Sequence, residues 1–285
     1  MKQRNELRGV LQKNPRRNNM EANIEKAYRA FGFKATALRI VLMCAGFITL
    51  IAAFTHLMHF SIYPSVFLGI IIAGIFPFMQ YLSRLGAFYI QFDKQLFELC
   101  DADGYLEKCK AILEATLSHK DTKTLFYQGL QNRYIVAFLA KGNVSEAKQY
   151  LKQSELNPRK KLYKMLNANI CLQEAIDAGD TTNARLYLQE FSEYLKNKHS
   201  DNLARIYEAE ILRLEGKTEE GLILAKQLKE NTLFNSVTKN YILGCLYKDM
   251  GDTDCARKHF DYVIAYGGTT NKSNQAKIKL ADCID

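Results

Sequence analysis

The chain of 285 residues has no tryptophan, only four prolines (at 15, 64, 77 and 158), and no lysine, arginine, aspartate or glutamate between Arg39 and Arg84. Each shortage excludes something. Scarce proline leaves long stretches free to form helices, because proline removes a backbone donor and disturbs the preceding turn. The seven cysteines contain no CxxC pair and are odd in number, which argues against a disulfide framework or a zinc cluster. They read as small buried thiols in a reducing compartment. With 48% hydrophobic residues, the chain can bury the core of one large or two modest domains.

The formal charge of +9 is unevenly placed. Residues 1 to 39 carry ten Lys or Arg against Glu6, Glu21 and Glu25, whereas residues 83 to 285 are nearly balanced. A nucleic-acid surface would have to rest on the short leader alone, so none is expected. The uncharged run from Ile40 to Leu82 is 43 residues long, and about 20 helical residues cross a bilayer. It predicts two spans, Thr36 to Met58 and Ser65 to Leu82, linked by HFSIYP, where Pro64 favours a break. Lys34, Arg39 and Arg84 flank the pair, which places both termini in the cytosol by the positive-inside rule. About 35 residues precede the run and it is too long for a cleaved signal peptide. No eukaryotic targeting signal is evident, so the expected location is a bacterial plasma membrane. Small residues at Ala45, Thr49, Ala53, Gly69 and Ala73 permit close helix packing in lipid, although such residues are common in spanning helices. The leader places Ile24, Ala27, Tyr28 and Phe31 at helical spacing beside Lys26, Arg29 and Lys34. Residues 1–35 are therefore either an amphipathic helix on anionic lipid or a flexible tail.

Beyond residue 83 one outline returns five times: DGYLEKC, KGNVSEA, AGDTTNA, EGKTEEG and MGDTDCA. A glycine is followed five residues later by a small residue, pairing Gly104 with Cys109, Gly142 with Ala147, Gly179 with Ala184, Gly216 with Gly221 and Gly251 with Ala256. Apolar or small residues recur seven and four before the glycine and nine after it, so each unit predicts one helix ending at the glycine and a second beginning after it. The glycine suits a left-handed backbone at the end of the first helix, and Asn143, Asp180 or Asp252 can cap the second. Such hairpins cannot bury their apolar faces alone and must stack. The expected fold is all-α: a transmembrane hairpin over 36–82, then an α-solenoid of about five helical hairpins over 83–285, with a capping helix near 272–284.

The pattern resembles the tetratricopeptide repeat, two antiparallel helices in about 34 residues. Leu243, Gly244, Tyr247, Gly251, Ala256 and Phe260 fall at that family's offsets, while the other units are degenerate and the family's tryptophan is absent. The resemblance implies a protein or peptide partner in a groove lined by the first helices. Through the glycine register that face comprises Lys94, Asn132, Asn169, Ile206 and Tyr241, with Glu98, Val136, Gln173, Glu210 and Cys245 one turn on. The alternative for each residue is a solvated or self-packed helix face.

Candidates for chemistry are weak. The GKT of Glu215-Gly216-Lys217-Thr218 lacks the earlier glycine of a P-loop, because Ile211 stands there, and no strand is expected before it. His56 and His59 have no third ligand nearby, while Gly267-Gly268-Thr269-Thr270 reads as a turn in preference to an anion-binding loop. No nucleophile stands beside a base, so no catalytic residue, cofactor or metal is expected. The chain reads as a membrane-anchored scaffold or adaptor. The rival from another class is an oligomeric pore or translocation component gated by the repeats, and an enzyme with a site between repeats is the third reading.

Overall fold

The computed structural model describes residues 41–42, 45–46, 48–53, 62–118, 124–195 and 201–282, with the side chains of 62–74, 76–77 and 201 outside that description. Among the described residues the chain is helical and without strands, a repeat-like arrangement that fits an α-solenoid. Helical residues occur at 41–42, 45–46 and 48–53. The elements that follow are α1 (Ile62–Phe97), α2 (Ala102–Ser118), α3 (Leu125–Ala140), α4 (Val144–Gln153), α5 (Lys161–Asp177), α6 (Thr181–Tyr194), α7 (Asp201–Leu214), α8 (Thr218–Lys226), α9 (Leu233–Asp249), α10 (Thr253–Tyr266) and α11 (Asn271–Ala281).

Among the described residues no helix is long and apolar enough to cross a membrane. The expected leader 1–35 and much of the span 36–58 lie outside those residues, as do His56, His59 and most side chains of the span 65–82. A boundary at residue 82 does not appear in the backbone, because α1 runs unbroken for 36 residues. A change from apolar to amphipathic sequence does not stop a helix, and Pro64 sits in its first turn, where its missing N–H has no intrahelical partner to lose.

Two compact units divide the chain: residues up to Gln91 with Lys110–Gly129, and Phe92–Cys109 with Leu130–Asp285. In the first, Leu85, Tyr89, Ile112, Leu113 and Phe126 are buried. The Tyr89 hydroxyl donates to the Phe126 carbonyl at 2.5 Å. Its ring fills the space left by the missing side chain of Gly129.

The second unit is built by nearest neighbours. From α4 to α11 every helix packs on the next, and α5, α7, α9 and α11 also lie side by side as an inner layer. Helices α5 and α7 each feed two cores. Leu166 and Ile170 of α5 join Ile135, Ala147 and Leu151, while its Ala168 and Leu172 join Ala184, Leu188 and Tyr207. Helix α7 gives Tyr207 and Ile211 to that core and Ile206 and Ala209 to the next, with Ala225, Leu243, Phe260 and Ala276. A hairpin removed from such a stack would expose both flanks.

Four turns share one geometry. Gly142, Gly179, Gly216 and Gly251 have φ of 77°, 70°, 76° and 80°. After α5, Gly179 N donates to Ile176 O at 3.0 Å and Asp180 N to Ala175 O at 2.9 Å, and the same pair of bonds closes the other three. These are Schellman motifs, and glycine occupies the left-handed position because it has no Cβ to oppose it. Asp180 and Asp252 then cap the next helix, each carboxylate accepting at 3.0 Å from the backbone of Asn183 or Cys255. Asn143 makes no side-chain cap bond.

The first repeat departs from the expected register. Gly104 lies inside α2, and the left-handed residue is Cys100, with φ of 51°, the sole positive-φ residue besides glycine among the described residues. Asp101 follows it as cap, accepting from Gly104 N at 3.0 Å, just as Asp180 follows Gly179. Cys100 N bonds Leu96 O and Asp101 N bonds Gln95 O, each one residue farther back than in the later turns. Positions counted back from Gly104 are thus displaced by about a helical turn.

Candidate functional site

The inner layer of the second unit encloses a cavity of about 860 Å³. Its wall is supplied by the end of α1 and by α3, α5, α7, α9 and α11. Of the ten groove positions read from the sequence, Val136, Asn169, Gln173, Ile206, Glu210, Tyr241 and Cys245 line it. Lys94, Glu98 and Asn132 do not. The first two were placed from Gly104. With the turn at Cys100, Glu98 falls beyond the end of α1, and Phe97 is the residue of that helix on the wall.

Helix α11 is the wall that the register did not supply. The repeat outline extends to α10 and α11 reads as a cap, yet Asn271, Lys272, Gln275, Ile278, Lys279 and Asp282 all face the cavity. Their spacing of three, four and seven marks one helical face. The opposite face, with Ser273 and Ala276, is buried. The Lys272 ammonium pairs with Glu210 of α7 and sits 4.6 Å from the centre of the Tyr241 ring. Glu210 is only 5% exposed, so this contact is what makes its burial tolerable. Lys248 of α9 donates to Asp282 at 2.9 Å. A Cβ on Gly142 would collide with the Asn271 carboxamide, so this turn needs glycine for space as well as conformation.

The two ends of the second unit meet. Thr269 N donates to Cys100 O at 3.1 Å, and Asp103 N donates to Thr269 Oγ1 at 3.0 Å. A side chain on Gly268 would strike the Cys100 carbonyl. The Gly267-Gly268-Thr269-Thr270 segment is therefore the turn that brings the last hairpin against the first turn, with Gly268 at φ 53°.

The phenols and the thiol within the wall are held in their neutral forms. The Tyr207 hydroxyl donates to Asn169 Oδ1 at 2.7 Å. Burial raises its pKa, helped by Glu210 and Asp177. Burial likewise raises Tyr241, with Cys245 and Glu210 adding to it, and raises the Cys245 thiol. Desolvation lifts the Asp177 carboxyl against the opposing pull of Gln173 and Lys272. A thiol and phenols kept protonated are not nucleophiles. The wall offers aliphatic surface, aromatic faces and amides.

Elsewhere, the residues Glu215 to Thr218 form the turn between α7 and α8. There Glu215 is gripped by Arg185 at 2.8 Å and 2.9 Å and by Lys217. His259 is stacked on Tyr247 and bonded to Asn240. Cys100, Cys109, Cys171, Cys245 and Cys255 are free thiols, and no group of three metal-ligating side chains occurs among the described residues. Comparison with known proteins matches no family model, no curated protein and no solved structure.

Proposed function

We propose that this chain is a membrane-anchored scaffold that holds a partner protein or peptide in a tetratricopeptide-like repeat domain and performs no catalysis of its own. The observation that carries the reading is that inner-face residues from four successive first helices, Val136, Asn169, Ile206 and Tyr241 among them, share one cavity. Its size lies within the roughly 300–1,000 Å³ range of ligand-binding clefts. Anchoring rests on the uncharged run from Ile40 to Leu82 and on the basic leader before it, which together support the reading of a two-span hairpin in a bacterial plasma membrane with both termini cytosolic. The leader adds attraction to anionic lipid.

A photo-crosslinking amino acid at Ile206 in the full chain, expressed in cells, tests the binding role. Capture of a defined protein at Ile206, and not from the exposed Glu219 on α8, is the expected result. Equal capture at both positions, or none at Ile206, overturns it. Alkaline extraction of cell membranes tests the anchor: the full chain stays in the pellet and a chain lacking residues 36–82 is released.

A further inference from the structure

Charge is sorted between the two ends of the helices in the second unit. Arg213 at the end of α7 donates to Asp249 at the end of α9, and Lys248 donates to Asp282 just beyond α11. At the opposite ends, Asn202 in the first turn of α7 exchanges two hydrogen bonds with the backbone of Lys229, in the join between α8 and α9. The glycine turns therefore lie along one edge and the joins between hairpins along the other. From two residues before to four after Gly142, Gly179, Gly216 and Gly251 stand nine carboxylates against Lys141 and Lys217. That edge is acidic.

On the other edge the join between α4 and α5 is basic. Lys152, Arg159, Lys160, Lys161 and Lys164 are all exposed, and Glu155 is the one carboxylate between residues 149 and 173. None of the five cations enters an ion pair or a side-chain hydrogen bond among the described residues. By contrast Lys141, Arg213, Lys217 and Lys248 at the acidic edge each hold a carboxylate. Folding does not ask for the basic join. Lys160 immediately precedes α5 and Lys161 and Lys164 occupy its first turn, where the helix dipole is already positive and no acidic residue opposes it. Cations that work against their own helix and bond nothing within the chain call for an anionic partner outside it.

Reach and extent select that partner. Each Lys or Arg close to an anionic bilayer strengthens attachment by about fivefold, so a handful gives a weak and reversible hold. A tethered chain makes such a hold effective, because the headgroups are then at high local concentration. A nucleic acid asks for a longer track of cations, and the join between α8 and α9 carries Lys226 and Lys229 against Glu230.

We propose that the second unit docks edgewise on the anionic lipid of the membrane that anchors the chain, through Lys152, Arg159, Lys160, Lys161 and Lys164, with its acidic glycine turns directed to the cytosol. This rests on the anchoring reading and adds an orientation to it.

The test places a donor dye, attached through an unnatural amino acid, at exposed Gln153 beside the basic join or at exposed Asp254 on the acidic edge of the full chain. The protein is reconstituted in vesicles that carry an acceptor on the headgroups, made of phosphatidylcholine alone or mixed with phosphatidylglycerol. Energy transfer from position 153 rises by about twofold or more in the anionic vesicles, and transfer from position 254 does not. High salt removes the gain. So does the Arg159→Gln/Lys160→Gln/Lys161→Gln/Lys164→Gln chain, which melts no lower than wild type because the charges it loses oppose the α5 dipole. Equal transfer in the two bilayers, or an equal gain from position 254, overturns the proposal. If transfer is unchanged while a labelled oligonucleotide or an acidic peptide binds the wild type and not the quadruple variant, the patch serves that partner and the lipid proposal is overturned. Alkaline extraction of the vesicles separates the two readings. A chain retained in both bilayers without the anionic gain keeps its anchor and loses the docking, whereas a chain released from both loses both.

Discussion

The first turn of the second unit and the four later turns reach the same backbone bend with different residues. In the later turns glycine adopts the left-handed conformation, and five residues on a fully buried Ala147, Ala184 or Ala256, or Gly221, lets the two helices cross closely. In the first turn Cys100 takes the glycine's place and Tyr105 takes that of the small residue. Tyr105 is wholly buried, its ring 5.1 Å from that of Phe92 and its hydroxyl donating to Asp93 at 2.7 Å. Burial drives its pKa upward, with Asp93 adding to the effect. A left-handed non-glycine residue costs roughly 1–2 kcal/mol. Here the surroundings over-determine it: the Cys100 carbonyl accepts from Thr269, and its thiol, raised to about 11 by burial, lies inside the last core cluster. What repeats along the chain is a backbone geometry. Residue identity follows it only where no contact from outside the repeat takes over.

The sharpest break of this comparison is at Tyr105. Tyr105→Ala should destabilise the protein by about 3–5 kcal/mol, because a large buried ring leaves a cavity its neighbours cannot close. Tyr105→Phe should cost about 1 kcal/mol through the Asp93 hydrogen bond alone, since Arg133 still holds Asp93 with two bonds. Urea midpoints at constant slope measure both. The converse change, Ala184→Leu, inserts volume where the helices cross and should cost about 1–3 kcal/mol. A fully tolerated leucine at 184 would show that the small residue is incidental. A smaller effect separates conformation from packing. A Cβ on Gly179 meets no atom within 4 Å, so Gly179→Ala isolates the left-handed penalty of roughly 1–2 kcal/mol. Cys100→Gly removes the same strain and a buried thiol together, and its midpoint should move by less than about 1 kcal/mol.

The later turns were legible because glycine, its capping aspartate and the small residue are local signals that need no knowledge of the rest of the chain. The all-helical class was legible from the apolar spacing about those glycines. Cys100 was not, since nothing in its side chain favours a left-handed backbone, and the contact with Thr269 that accompanies it lies 169 residues away. The same limit explains Glu98, which inherits its place from Gly104. It also explains α11: its face from Asn271 to Asp282 has visible helical spacing, but what that face meets depends on how far the stack has curled by the last hairpin. The Gly142 and Asn271 contact, 129 residues apart, records that curl. Continuity of α1 through residue 82 is not legible, because the apolar run ends there while the backbone stays helical.

Charge pairs offer the gentlest test of how the later turns are tied together. Arg185 of α6 grips Glu215, in the turn after α7, through two bonds and reaches Glu208 with a third. The Arg185 hydrogen bonds first, and then Lys217, hold the Glu215 carboxyl down at about 2. Its ordinary value is near 4.3. A carboxylate whose folded value is depressed contributes stability that is complete above the unfolded value and disappears as pH falls toward the folded one. The contribution of this link is therefore full above about pH 5 and lost between there and about pH 2. Being near the surface it should amount to no more than about 1 kcal/mol and shrink with salt. Comparing urea midpoints of wild type and Glu215→Gln across that range measures it: the two curves converge as pH drops, and a gap that persists unchanged at pH 2 would mean that Glu215 acts through packing and not through its charge.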